Sequence, residues 1–266
     1  MLGLPEGITI EAPQLNFERN SSSGSETSPG PGALDWTTMV DLDPTAMTFS
    51  ADVVAVGGRD ITLTDEGLLI GGELAMDIQG YALVSGEFEF TQTLDQTLQD
   101  GTELTETPIT GATVQTIAVH DLNLFVGSNA SFVRDMDDQV TGLDTSEATG
   151  FNVSGGNLDL VTVTETTGQL RSWMGLVATV GQLSPHGLPD GFELVATDLS
   201  LLYNGPDAMT GTRLNWASVT DTDLLPSILQ LTNTTNITVG GTLSLNVNNT
   251  VIGSGRFDIT KTSGIT

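Results

Sequence analysis

The chain has 266 residues, 38% of them hydrophobic, with 34 acidic against 7 basic side chains, a net charge of −27 and no cysteine. That is enough apolar material for a sizeable core in one large or two ordinary domains. Six arginines and one lysine without a cluster exclude nucleic acid and anionic membrane surfaces as partners, and the missing thiols exclude disulfides and thiolate zinc sites.

The chain opens on "GLPEGITIEAPQLNFERN" (Gly3–Asn20), with no basic-then-apolar leader. It reads as a piece of something longer. Its apolar positions alternate at Ile8, Ile10 and Ala12, then change parity to Leu15 and Phe17, which predicts β-strand on either side of a break. "NSSSGSETSPGPG" (Asn20–Gly32) is loop chemistry. "ALDWTTMVDLD" (Ala33–Asp43) follows, then the alternating block "GGELAMDIQGYALVSGEFEFTQ" (Gly71–Gln92). "TLDQTLQDGTELTETPITG" (Thr93–Gly111) reads as the connector to a second half.

Two more parity changes come next, from Ile117 and Val119 to Leu122, Leu124 and Val126, and from Phe151 and Val153 to Leu158 and Leu160. A one-residue slip turns a flat strand's apolar face outward, so each change demands a bulge or a corner. The paired glycines of "VGGRD", "IGGEL", "SGGNL" and "VGGTL" are expected at turns that need positive φ. No run of about 18 apolar residues could cross a bilayer as a helix, so no membrane insertion is expected.

At Gly187–Asn204 the opening words return as "GLPDGFELVATDLSLLYN", with seven identities in 18 positions at an offset of 184; ordinary usage gives about one. The break recurs between Ala196 and Leu199. "RLNWASVTDTD" (Arg213–Asp223) then answers Ala33–Asp43 at an offset of 180, and "GGTLSLNVNNTVIGSGRFDITK" (Gly240–Lys261) answers Gly71–Gln92 at 169. Ordered blocks with shrinking offsets mean one ancestral unit with loop deletions, as in array proteins. The expected organisation is a first repeat half over 1–92, a second half over 93–186, and the start of a second repeat over 187–266, equivalent to 3–92. The expected fold is all-β, an elongated solenoid-like stack of short strands built from about one and a half copies of a long repeat; two β-sandwich domains are the alternative.

The motifs "DLNLFVGSNASF", "GFNVSGGNLDLVTVTE", "GLPDGFEL", "RLNWASVTDTD" and "VGGTLSL…SGRFDITK" resemble the long tandem repeats of giant extracellular, adhesin-like surface proteins of Gram-negative bacteria. The resemblance implies display outside the cell or at its surface and a spacer, fibre or adhesion role. Neighbouring repeats or identical subunits joined head to tail are the expected partners, with extracellular polysaccharide as a further one. The calcium nonapeptide pattern G-G-x-G-x-D is not met by "GGNLDL" or "GGRDIT".

A charge of −27 favours a medium where cations screen or bind it, and D-x-D pairs on loops supply the oxygens that calcium takes. Asp41 and Asp43, their repeat counterparts Asp221 and Asp223, and Asp135, Asp137 and Asp138 are therefore the candidate calcium ligands, against the simpler reading of solvated surface acids. Trp36 and Trp216 read as buried anchors, one per repeat, or as sugar-stacking platforms; Trp173 has no counterpart. The two histidines, His120 and His186, stand far apart, and no nucleophile elbow, H-E-x-x-H or phosphate loop is present. The six N-x-S/T sequons at Asn20, Asn129, Asn152, Asn233, Asn236 and Asn248 follow from Asn and Thr abundance. A non-catalytic structural role is the expectation, and a calcium-stabilised polysaccharide-binding adhesin module is the alternative.

Overall fold

The computed structural model describes residues 8–22, 33–43, 45, 48–56, 58–99, 108–166, 168, 170–219 and 225–262. Fourteen strands are defined among them: β1 (Ile8–Glu11), β2 (Asn16–Asn20), β3 (Ala55–Val56), β4 (Arg59–Asp60), β5 (Gly67–Ile78), β6 (Ala82–Leu98), β7 (Ile109–Ser128), β8 (Ser131–Arg134), β9 (Val140–Asp144), β10 (Thr149–Glu165), β11 (Ser172–His186), β12 (Phe192–Gly205), β13 (Thr235–Val247) and β14 (Val251–Thr262). Ten of them make one antiparallel sheet in the order β1-β5-β6-β7-β10-β11-β12-β13-β14, with β2 following β1 along β5. β3–β4 and β8–β9 are separate two-stranded ribbons. The protein is all-β, and the large sheet does not close into a barrel.

Long hairpins explain the meander, because adjacent antiparallel strands can be joined by tight turns. At the β5–β6 turn Gln79 and Gly80 have φ of 55° and 69°; at the β13–β14 turn Asn248 and Asn249 have 49° and 52°. Positive φ at both central positions is the signature of the two-residue turn whose twist matches its strands.

The parity changes are bulges, and the chain does not leave the sheet at them. Asp121 in β7, Gly155 in β10 and Asp198 in β12 each take positive φ, at 50°, 62° and 53°, and the ladder shifts register beside each one. Gln14, with φ of 56°, does the same between β1 and β2. One left-handed residue absorbs the slip and keeps the apolar set facing inward. The expected short strands are accordingly long ones, from 12 residues in β5 to 20 in β7. Three expected turn glycine pairs, Gly71–Gly72, Gly155–Gly156 and Gly240–Gly241, also lie in mid-strand. A Cβ on Gly72 would sit 3.2 Å from the Gln14 carbonyl oxygen, and one on Gly241 would sit 2.5 Å from Leu199, so these glycines make room for the bulge crossing beside them.

An open sheet still has to cover its apolar face. At one end, the crossover between β12 and β13 folds back over β10 and β11, with short 3₁₀ helices at Trp216–Ser218 and Pro226–Gln230. Its Leu214, Trp216, Ile228 and Leu231 pack with Leu98, Ile109, Val161, Val163, Trp173 and Val177 into the main core. At the other end Phe132 and Leu143, from the β8–β9 ribbon, pack on Leu83, Phe125 and Ala148. The boundary expected at 92/93 falls inside β6, because pairing with β7 continues past it to Leu98↔Ile109. Of the expected connector, Thr93–Leu98 and Ile109–Gly111 are strand, and residues 100–107 lie outside the described set.

Candidate interaction surface

The two halves that repeat in sequence also repeat in pairing. Ile10↔Met76 and Asn16↔Gly71 along β1, β2 and β5 correspond to Leu194↔Leu245 and Ser200↔Gly240 along β12 and β13, with Gln14 and Asp198 as the bulge residues, 184 positions apart. The hairpins agree as well: Met76↔Val84 in β5–β6 matches Leu245↔Gly253 in β13–β14.

Above each pairing lies the same hydrogen-bonded latch. The Trp36 indole donates to Asn20 Oδ1 at 3.2 Å, and Asn20 Nδ2 donates to the Leu34 carbonyl at 2.7 Å. Trp216 donates to Asn204 Oδ1 at 3.0 Å, and Asn204 Nδ2 donates to the carbonyls of Leu214 and Thr232, both at 2.9 Å. Both asparagines close the repeated line in sequence, which is the signal that could have marked them. A buried amide that holds an indole N–H and a returning loop satisfies all the groups at once.

The surroundings of the two latches differ. Trp216 is wholly buried and Leu214 is 1% exposed, whereas Leu34 is 39% and Phe17 62% exposed. A Cβ on Gly175 of β11 would lie 3.1 Å from Trp216, 3.2 Å from Leu231 and 3.3 Å from Ile228, so this glycine is the flat seat for the tryptophan. Trp36 is half-buried and borders a groove of about 270 Å³ with Phe17, Arg59 and Val56.

Among the described residues the expected calcium ligands do not gather into one group. Asp41 accepts the Asp43 and Ser50 N–H groups, Asp43 accepts the Thr45 N–H, and Asp135 accepts the Asp137 and Gln139 N–H groups. These carboxylates brace their own turns. Asp221 and Asp223 lie outside the described residues. Asp137 and Asp138 border a groove of about 540 Å³ with Glu11, Glu73, Glu87 and Asp121. Among the described residues no three acidic or histidine side chains form a group that could hold a metal ion.

Arg134 grips Glu11 through Nη1 and Nη2 at 3.0 and 2.7 Å, fastening β8 to β1. That hydrogen bonding holds the Glu11 carboxyl below its ordinary range and raises the guanidinium's pKa. The Thr37 and Thr38 hydroxyls lower Asp35 beside Trp36, and the Ser146 N–H lowers Asp144. For Asp207, burial works upward, yet the Ser172, Thr210 and Met209 N–H groups and the Thr210 hydroxyl outweigh it and hold the carboxyl low.

The lining of the larger groove holds no histidine, lysine or arginine. His120 stands 3.9 Å from Asp159, whose other oxygen accepts the Ser227 hydroxyl. The carboxylate is the central member of this trio, whereas nucleophile activation needs the imidazole between serine and acid. No protein-family model, curated protein or solved structure matches the chain.

Proposed function

We infer that the chain is a non-catalytic structural segment of a secreted or cell-surface bacterial protein, built from about one and a half copies of a repeating unit. The units add along the hydrogen-bonding direction of the sheet, and the product is an elongated, solenoid-like β stack that serves as rod, fibre or spacer. Six strand positions, from β1 through β11, separate β1 from its counterpart β12. An even number lets each new unit begin in the same direction as the last.

The observation that carries this reading is the coincidence of register, bulge and Asn–Trp latch at the sequence offsets. Such a coincidence is what a repeated fold template produces. The charge of −27 and the absence of cysteine suit a cation-rich exterior.

The test is a concatemer in which residues 3–186 are duplicated ahead of 187–266. Strands spaced about 4.8 Å apart give an increment of about 29 Å per six-strand unit. Small-angle scattering should show the maximum dimension growing by that amount for each added unit. A concatemer that grows isotropically instead overturns the reading.

A further inference from the structure

We propose that the outer edge of β1–β2, with the apolar ground around Trp36, is a docking surface for a β10–β11-type hairpin of another repeat unit. This rests on the repeat reading above and adds the occupant, the pairing register and the residue that recognises it.

β12 is paired on both sides, with β11 and with β13. Its counterpart β1–β2 pairs only with β5 among the described residues. Ile10, Leu15 and Phe17 are 45%, 58% and 62% exposed, while their counterparts Leu194, Leu199 and Leu201 are partly covered. On the crossover behind β2, Leu34, Met39, Leu42 and Val56 are exposed as well. An unpaired edge beside an apolar patch invites strand addition.

The covered copy states what belongs there. Along β11–β12 the pairs are Gly175↔Asn204, Ala178↔Leu201 and Val180↔Leu199. Carried back by 184 positions, an arriving strand sets its glycine opposite Asn20, its alanine opposite Phe17 and its valine opposite Leu15. The glycine is the selective element: a β-carbon on Gly175 would be pressed to 3.1 Å from Trp216, closer than ordinary contact, and Trp36, latched to Asn20 in the same way, needs the same flat seat.

A second folded copy presenting its opposite edge does not fit. The sheet has nine positions, β2 sharing that of β1, and every neighbouring pair is antiparallel. An odd number sends β1 and β14 in the same direction, so same-sense stacking of two chains creates a parallel junction. An arriving β11-type strand restores the antiparallel order.

The probe is a fluorescent peptide with the sequence of Ser172–His186, titrated into the full chain and followed by anisotropy, with ultracentrifugation alongside. The expected result is saturable binding at one peptide per chain. The Gly175→Val peptide should bind at least tenfold more weakly, and so should the original peptide to a Leu15→Glu/Phe17→Glu chain whose melting midpoint is unchanged. No binding, equal binding of the Gly175→Val peptide, or insensitivity to the Leu15/Phe17 change overturns the proposal. Self-dimerisation that the Leu15/Phe17 change abolishes overturns it too, because the occupant is then a second copy. A concatemer that lengthens while the peptide stays unbound keeps the array and removes this edge from it.

Discussion

Replacing Asn204 by alanine isolates what the latch contributes where it is buried. Asn204 is fully buried and makes three hydrogen bonds, to Leu214 O, Thr232 O and the Trp216 indole. Its removal strands the Trp216 indole N–H and the Leu214 carbonyl away from water, while the Thr232 carbonyl keeps the Thr235 N–H. Each such group costs about 1–3 kcal/mol, and inward movement of water or of the crossover recovers part, which leaves a net loss of about 2–4 kcal/mol. The same change at Asn20 removes two bonds beside a half-buried indole that water can reach, for a loss of about 1 kcal/mol. Urea unfolding of the two variants against the parent, at unchanged m-value, measures the difference. Equal costs for Asn20→Ala and Asn204→Ala would show that the sheet around β10–β11 contributes nothing to the latch.

Gly127 faces Gly150 across β7–β10, and a Cβ there would fall 2.1 Å from the Thr149 carbonyl oxygen and 2.8 Å from the Phe125 ring; Gly127→Ala should cost about 3 kcal/mol in chemical denaturation. The Glu165–Arg171 pair, 5% and 6% exposed with both contacts at 3.0 Å, closes the β10–β11 turn. Arg171→Met removes the guanidinium that balances a buried carboxylate's charge and should cost about 3–5 kcal/mol, whereas joint replacement by Leu and Met should recover most of it. Asp207 has its folded pKa below the ordinary 3.8, so its contribution is present above that value and disappears as pH falls through the lowered one. Acid titration of Asp207→Asn should lack that component, and a parallel curve would refute the assignment. EDTA should leave the melting midpoint unchanged, because the described carboxylates of Asp41, Asp43 and Asp135 already brace backbone N–H groups; a lowered midpoint would restore structural calcium.

The turns at Gln79–Gly80 and Asn248–Asn249 were not read from the chain, three of whose glycine pairs drew the expected turns to positions inside strands; the alternation of Ile8–Ile10 and of Leu199–Leu201, set by side-chain order, was legible there. So was the correspondence of the two halves, since equivalent strands must present equivalent apolar stripes. The sites within it were legible only as identities: Asn20 and Asn204 stood out as shared letters without a role, and Gly175 did not stand out at all.

Whether a parity change bends the chain away or bulges it in place depends on the neighbouring strand, which no local pattern specifies. Tertiary structure alone placed Asp121, Gly155 and Asp198 within continuous strands, brought Trp216 over Gly175, and turned the aspartates toward their own backbones. Burial belongs to pairs of surfaces. Trp36 and Trp216 have the same partner residue yet differ in exposure, because β12 has β11 at its side and, among the described residues, β2 has no strand there.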